Sequence, residues 1–125
     1  MATKKILVVD DSPELREKLH ELLETQSYEV VKAADGKEGL SKAKEDPYDL
    51  IIADLKMPGL NGLEMLAEIR KQELNSKTHS FLLTTEPVQG YTEQFRAVGK
   101  ATWIMKPYTP QVLLRSIELM FEKAG

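Results

Sequence analysis

Short runs of consecutive apolar residues alternate along this chain with longer stretches in which apolar residues recur every three or four positions. The first run, Ile6–Asp10 ("ILVVD"), is apolar at successive positions and predicts a strand buried on both faces. Ser12 suits an N-cap with Pro13 at the first helical position. Leu15, Leu19, Leu22 and Leu23 then fall on one face of the helix that follows. Tyr28–Ala34 ("YEVVKAA") predicts a second short strand, and Asp35 with Glu38 predicts a capping box for a second helix that ends before "DPYD". Asp49–Asp54 ("DLIIAD") predicts a third strand. The loop "LKMPGLNG" is broken by Pro58, Gly59 and Gly62, and Asn61 with Glu64 can cap a third helix. Ser80–Thr85 ("SFLLTT") predicts a fourth strand, Val88–Val98 a fourth helix closing on Gly99, and Ala101–Lys106 a fifth strand stopped by Pro107. Thr109 and Pro110 start a fifth helix, with an apolar stripe of Leu113, Leu114, Ile117, Met120 and Phe121.

Strands alternating with helices predict an α/β fold: a doubly wound, five-stranded parallel sheet with helices on both faces. Ligands of such sheets sit beyond the carboxyl ends of the strands, at the switch point in strand order. The pattern puts Asp10 and Asp11, Asp54, Thr84 and Thr85, and Lys106 at those ends. Each has an ordinary explanation when taken singly. The aspartates could cap helices or open turns, Lys106 could snorkel, and Thr84 could be a β-branched strand residue. Their coincidence at equivalent strand ends outweighs those explanations. Gathered carboxylates cannot all stay ionised without a cation, and Lys106 alone does not neutralise three of them. A hard cation, Mg²⁺ above all, suits oxygen ligands without His or Cys. A lysine and a hydroxyl beside such a cation are what phosphoryl oxygens require.

Composition narrows the alternatives. The 125 residues suit one domain, 1–125, with no output domain, and 42% hydrophobic residues are enough for one core. A net charge of −3 argues against non-specific binding to nucleic acid or to an anionic membrane. No cysteine is present, which excludes disulfides and thiolate metal sites. No stretch approaches the ~20 apolar residues that span a bilayer, and a cytoplasmic monomer is expected. His20 and His79 have no neighbouring cluster in the sequence and are expected to be solvated. Met57 and Met65 are expected to serve in packing.

The segments "VVDDSP", "IIADLKMPGLNG", "LLTTE" and "WIMKPY", in this order and spacing, resemble the response-regulator receiver domains of two-component signalling across essentially the whole chain. The resemblance implies a flavodoxin-like sheet of order 2-1-3-4-5. It implies that Asp54 is the phosphoacceptor, taking a phosphoryl group from a histidine kinase. Asp11, Asp54 and the Lys56 backbone carbonyl would bind Mg²⁺, and Asp10 would orient metal-bound water. Thr84 and Lys106 would contact the phosphoryl oxygens, and the Lys106–Pro107 bond would be cis. Trp103 stands at the family's switch aromatic, more often Tyr or Phe. Three residues before Lys106 on the fifth strand, it is expected to face the opposite way, towards helix four. Lys56 and Glu86 would flank the pocket mouth and restrict hydrolysis, with a phosphatase as a further partner. Such a chain is no enzyme beyond its own phosphotransfer and dephosphorylation.

Other classes fit less well. Aspartate-based phosphatases carry a second acid two residues after the nucleophile, where this chain has Lys56. A nucleotide- or flavin-binding relative needs a phosphate loop after its first strand, and "DDSPEL" supplies carboxylates instead. A receiver that had lost its chemistry would lack one of these groups, and none is missing. "TTE" with "W-x-x-K-P" resembles stand-alone chemotaxis regulators, which bind the flagellar motor switch through the face formed by helix four, strand five and helix five. The alternative is a phosphorelay intermediate that passes its phosphoryl group to a histidine phosphotransfer protein.

Overall fold

The computed structural model describes residues 3–124. Strands β1 (Lys5–Val9), β2 (Glu29–Ala33), β3 (Leu50–Asp54), β4 (Ser80–Thr84) and β5 (Ala101–Met105) pair in parallel in the order β2-β1-β3-β4-β5. Helices α1 (Pro13–Glu24), α2 (Gly36–Glu45), α3 (Gly62–Ile69), α4 (Thr92–Val98) and α5 (Pro110–Ala124) connect or follow them. Alternate residues of each central strand enter opposite cores. Leu7, Val9, Ile51, Ala53 and Leu82 pack with α2, α3 and Val98. Ile6, Val8, Leu50, Ile52, Phe81 and Leu83 pack with α1 and α5. Strand and helix ends agree with the sequence pattern to within about a residue, except at α4.

The helix starts follow their capping chemistry. The Ser12 hydroxyl accepts from Leu15 N (3.3 Å), with Pro13 opening α1. Asn61 and Glu64 close a complete capping box on α3. The expected box on α2 is displaced. Asp35 accepts from Glu38 N, but the Glu38 carboxylate takes the Ala34 N–H rather than that of Asp35. Asp35 is more extended (φ −160°) than Asn61 (φ −81°), which re-aims its own N–H.

Helix four is the main departure. Val88–Tyr91 form a 3₁₀ turn, and α-helix begins only at Thr92. Pro87 precedes this turn and Gly90 lies within it. The Thr92 hydroxyl bonds back to the carbonyls of Val88 (3.3 Å) and Gln89 (3.4 Å), a side-chain competitor for the regular helical ladder. Neither segment has a side-chain cap at its start.

Three side chains differ from expectation. Leu15, in the first turn of α1, is exposed, while Leu19 and Leu23 reach the core. His20 is half-buried between Glu17 and Glu24, with Nε2 3.0 Å from Glu24 Oε2. His79 is also half-buried. Its Nε2 lies 2.9 Å from Thr102 Oγ1 and its ring stands edge-on to Phe81. Burial, aided by Arg70 and Lys100, lowers the pKa of His79. Met65 and Met57 pack in the core as expected.

Candidate functional site

The carboxyl ends of β1, β3, β4 and β5 meet at one edge of the sheet. Asp10 follows β1 and is buried. Its N–H extends the ladder to Ala33 O (3.2 Å), and its Oδ1 accepts from Ser12 N (2.9 Å). Arg16 reaches back from α1 to donate Nη1 to the Asp10 carbonyl (2.6 Å). Asp11 beside it is exposed, and Asp54 ends β3 half-buried. One carboxylate oxygen from each of Asp10, Asp11 and Asp54 lies within 4.8 Å of the others. Lys106 continues past β5, its N–H on Thr84 O (2.8 Å), and its Nζ lies 2.5 Å from Asp54 Oδ1. The Lys106–Pro107 peptide is cis.

Among the described residues three carboxylates face a single ammonium, so the pocket keeps an excess of negative charge and an all-oxygen donor set. That chemistry fits Mg²⁺. Burial pushes the Asp10 carboxyl above the usual carboxylate range. The Ser12 N–H opposes this, and the Asp54 carboxylate adds to it. Ionising Asp10 therefore costs the fold stability. Its raised pKa means that stability falls as pH rises through the folded-state value, and a divalent cation offsets that loss. Asp10→Asn keeps the acceptor for Ser12 N and removes the charge. It is expected to raise metal-free stability by ~1 kcal/mol and to shrink the rise in Tm that Mg²⁺ produces. Thermal unfolding with and without Mg²⁺ checks this, and a lower Tm for the metal-free variant would contradict it.

Thr84 is buried at the end of β4, and its hydroxyl accepts from Glu86 N (2.9 Å). Thr85 is exposed and stands outside the cluster. Trp103 faces α4, as the strand alternation requires. It is half-buried against Tyr91 (centroids 5.6 Å) and Phe95 (5.4 Å), and its Nε1 donates to Glu86 O (2.9 Å). Lys56 is exposed in the loop after β3, with Nζ 3.5 Å from Glu86 Oε1. The Tyr91 side chain, and then Glu86, hold the Lys56 ammonium above its ordinary pKa.

Three participants were not legible in the chain. Arg16 reads as a surface helix residue, yet it fixes the Asp10 backbone. Gly62 reads as a loop breaker. A Cβ there would lie 2.6 Å from the Asp54 carbonyl oxygen and 2.7 Å from Leu82, so only glycine lets α3 start against the end of β3. Tyr108, inside the "KPY" motif, closes one side of the site. Burial, with Asp10 and Asp54, raises the pKa of its phenol. A cavity of about 640 Å³ runs from Asp10 and Lys106 between α1 and the start of α5, past Leu15, Leu22, Pro107 and Tyr108.

The fold and this pocket define a doubly wound α/β domain with an acidic cluster, suited to a divalent cation, at the switch point of its sheet. Residues 6–118 match the Response regulator receiver domain, and the chain belongs to that family. It is 33% identical to the transcriptional regulatory protein ResD of Bacillus subtilis over 97% of its own length but only 49% of that protein, so it spans about half of that relative. The structure of chemotaxis protein CheY4 of Vibrio cholerae superposes with a TM-score of 0.87 at 38% identity, covering 94% of this chain and 98% of that one. The receiver domain of sensor histidine kinase PA1611 from Pseudomonas aeruginosa PAO1 superposes with a TM-score of 0.83 at 30% identity, covering 94% and 96%. That structure has a magnesium ion coordinated in its active-site cleft.

Proposed function

We propose that this receiver takes a phosphoryl group from the phosphohistidine of a histidine kinase onto Asp54, and that the modification alters the face formed by α4, β5 and α5. The observation that carries this reading is the Lys106 ammonium 2.5 Å from Asp54 Oδ1, beside Asp10 and Asp11. An oxygen of Asp54 attacks phosphorus and the P–N bond breaks. The imidazole nitrogen departs with the bonding electrons, and an acyl phosphate remains. Mg²⁺, when bound, supplies charge stabilisation to the phosphoryl oxygens. Asp11, Asp54 and the Lys56 carbonyl would hold it, with Asp10 ordering its water. Lys106 passes from the carboxylate to a phosphoryl oxygen, and the Thr84 hydroxyl turns from Glu86 N–H to donate to another. The reading is tested by incubating the protein with acetyl phosphate. Mg²⁺-dependent gain of one phosphoryl mass, abolished by chelation, is expected, and no gain under any metal condition overturns it.

The domain would act in the cytoplasm and as a monomer, through a partner protein. The similarity to CheY4 favours chemotaxis, with the flagellar motor switch as the target. A relay role, passing the phosphoryl group to a histidine phosphotransfer protein, draws support from the similarity to a receiver of a sensor kinase. Phosphoryl loss to such a protein in a purified mixture separates the two roles. Lys56 and Glu86 pair across the pocket mouth in a position to hinder the hydrolytic water and to affect a phosphatase. Lys56→Ala and Glu86→Ala should each change the spontaneous dephosphorylation rate severalfold, and the double variant by no more than one of them. Strictly additive effects would count against the pair acting as one barrier.

A further inference from the structure

Arg70 follows α3 directly, at the end of the sheet opposite the acids, and its guanidinium is drawn below its ordinary pKa by burial alone. Each of its hydrogen-bond partners is a neutral oxygen. Nε donates to Val98 O (2.8 Å) and Nη1 to Asn75 O (3.1 Å). Nη2 is shared among Ser80 Oγ (3.0 Å), Lys100 O (3.3 Å) and Gly99 O (3.4 Å). Desolvating a cation without a counter-charge is costly, so the fork must satisfy something that otherwise lacks donors. Those groups are the carbonyls of Val98 and Gly99, at the end of α4 and in the turn into β5; Lys100 O already accepts from Ser80 N (2.9 Å). In that turn Gly99 (φ 57°) and Lys100 (φ 35°) both lie in the left-handed region, which is unfavourable for lysine. The guanidinium thus joins the end of α3, the start of β4, the end of α4 and the start of β5.

The other end of α4 is held differently. The 3₁₀ turn before it has no side-chain cap. Glu86, just before it, bonds to Thr84 through its N–H, accepts from Trp103 at its carbonyl and pairs with Lys56 through its carboxylate, and Tyr91 and Phe95 pack on Trp103. One of these bonds uses the Thr84 hydroxyl, which the proposed phosphorylation would draw away. The helix therefore has one end on a planar fork with five acceptors and the other on a latch wired to the phosphoacceptor site.

We propose that Arg70 is a positioning residue that fixes the C-terminal end of α4 as a pivot, so that phosphorylation moves the output helix only at its Glu86 end. This rests on the phosphorylation-dependent reading above. Movement without a pivot would be spread along α4 and β5. With one, a hydroxyl rotation at Thr84 becomes a tilt of the face beside Trp103.

Amide hydrogen exchange on the intact protein, with Mg²⁺ and with or without beryllofluoride, tests the idea. In wild type, protection should change severalfold across residues 85–94 and by less than about twofold across 95–101. Arg70→Lys keeps the charge but loses the planar fork. It should label at Asp54 at the wild-type rate, exchange faster across 95–101 and spread the beryllofluoride response into that segment. A residue with only a structural role would lower Tm without redistributing the response. If Arg70→Lys does not fold, Ser80→Ala, which removes a single acceptor, should produce a smaller redistribution in the same segment. Equal changes at both ends of α4 in wild type, or an unaltered pattern in the variants, overturn the pivot and leave the phosphorylation reading standing. No response anywhere in wild type overturns both.

Discussion

The Asp54→Asn variant should take no label from acetyl phosphate, with or without Mg²⁺, and Lys106→Met should label slowly. The amide oxygen of asparagine is uncharged and far less nucleophilic than a carboxylate, and the substitution also removes one of the three carboxylates around the cation site. Loss of labelling should therefore come with weaker Mg²⁺ binding. Lys106→Met leaves the nucleophile in place and removes the ammonium 2.5 Å from it. Without that donor, charge developing on the phosphoryl oxygens is less well stabilised. Removing one well-placed donor of this kind costs about 10²–10³ in rate. The same variant should bind Mg²⁺ more tightly, because a competing cation has gone. Intact-mass measurement and Mg²⁺ titration separate the two variants. Wild-type labelling of Asp54→Asn, at Asp10 or Asp11 for example, would sink the assignment.

Beryllofluoride with Mg²⁺ should change the emission of Trp103, the one tryptophan in the chain, and Thr84→Ala should reduce that change by more than half. Thr84 and Trp103 lie on the same face of the sheet, on neighbouring strands, and both bond to Glu86, one through its N–H and the other through its carbonyl. A hydroxyl that leaves Glu86 for a phosphoryl oxygen frees the β4–α4 loop and with it the acceptor of the indole N–H. Thr84→Ala breaks the link at its start while leaving Asp54 labelling largely intact. It should cost ~1 kcal/mol of stability through the unpaired Glu86 N–H. Trp103→Ala breaks the link at its end. The packing against Tyr91 and Phe95 and the bond to Glu86 are lost together, and partner binding should lose its dependence on phosphorylation. A Trp103→Ala protein that still binds its partner only when phosphorylated would show that the signal travels elsewhere.

The strands and most helices were legible because their signals are local. Two apolar faces mark a central strand, a 3.6-residue stripe marks α5, and Ser12–Pro13 and Asn61–Glu64 mark helix starts. The acid cluster was also legible once the alternation of elements placed Asp10, Asp11, Asp54 and Lys106 at equivalent strand ends. The sequence by itself therefore determined the alternation of strands and helices and the acidic character of the pocket, while the strand order rested on the family resemblance. Tertiary structure alone decided what depends on the approach of distant segments. Val88–Tyr91 winds as 3₁₀, with the Thr92 hydroxyl bonded back to two of its carbonyls, a choice helical periodicity does not encode. Gly62 matters because α3 lies against the Asp54 carbonyl, and Arg16 because its helix brings it back over Asp10. Arg70 finds its acceptors 28 to 30 residues away in sequence, at Val98, Gly99 and Lys100. A residue's propensity and spacing report its neighbours within a turn or two of chain, whereas hydrogen-bond partners and desolvation are set by whatever the fold packs against it.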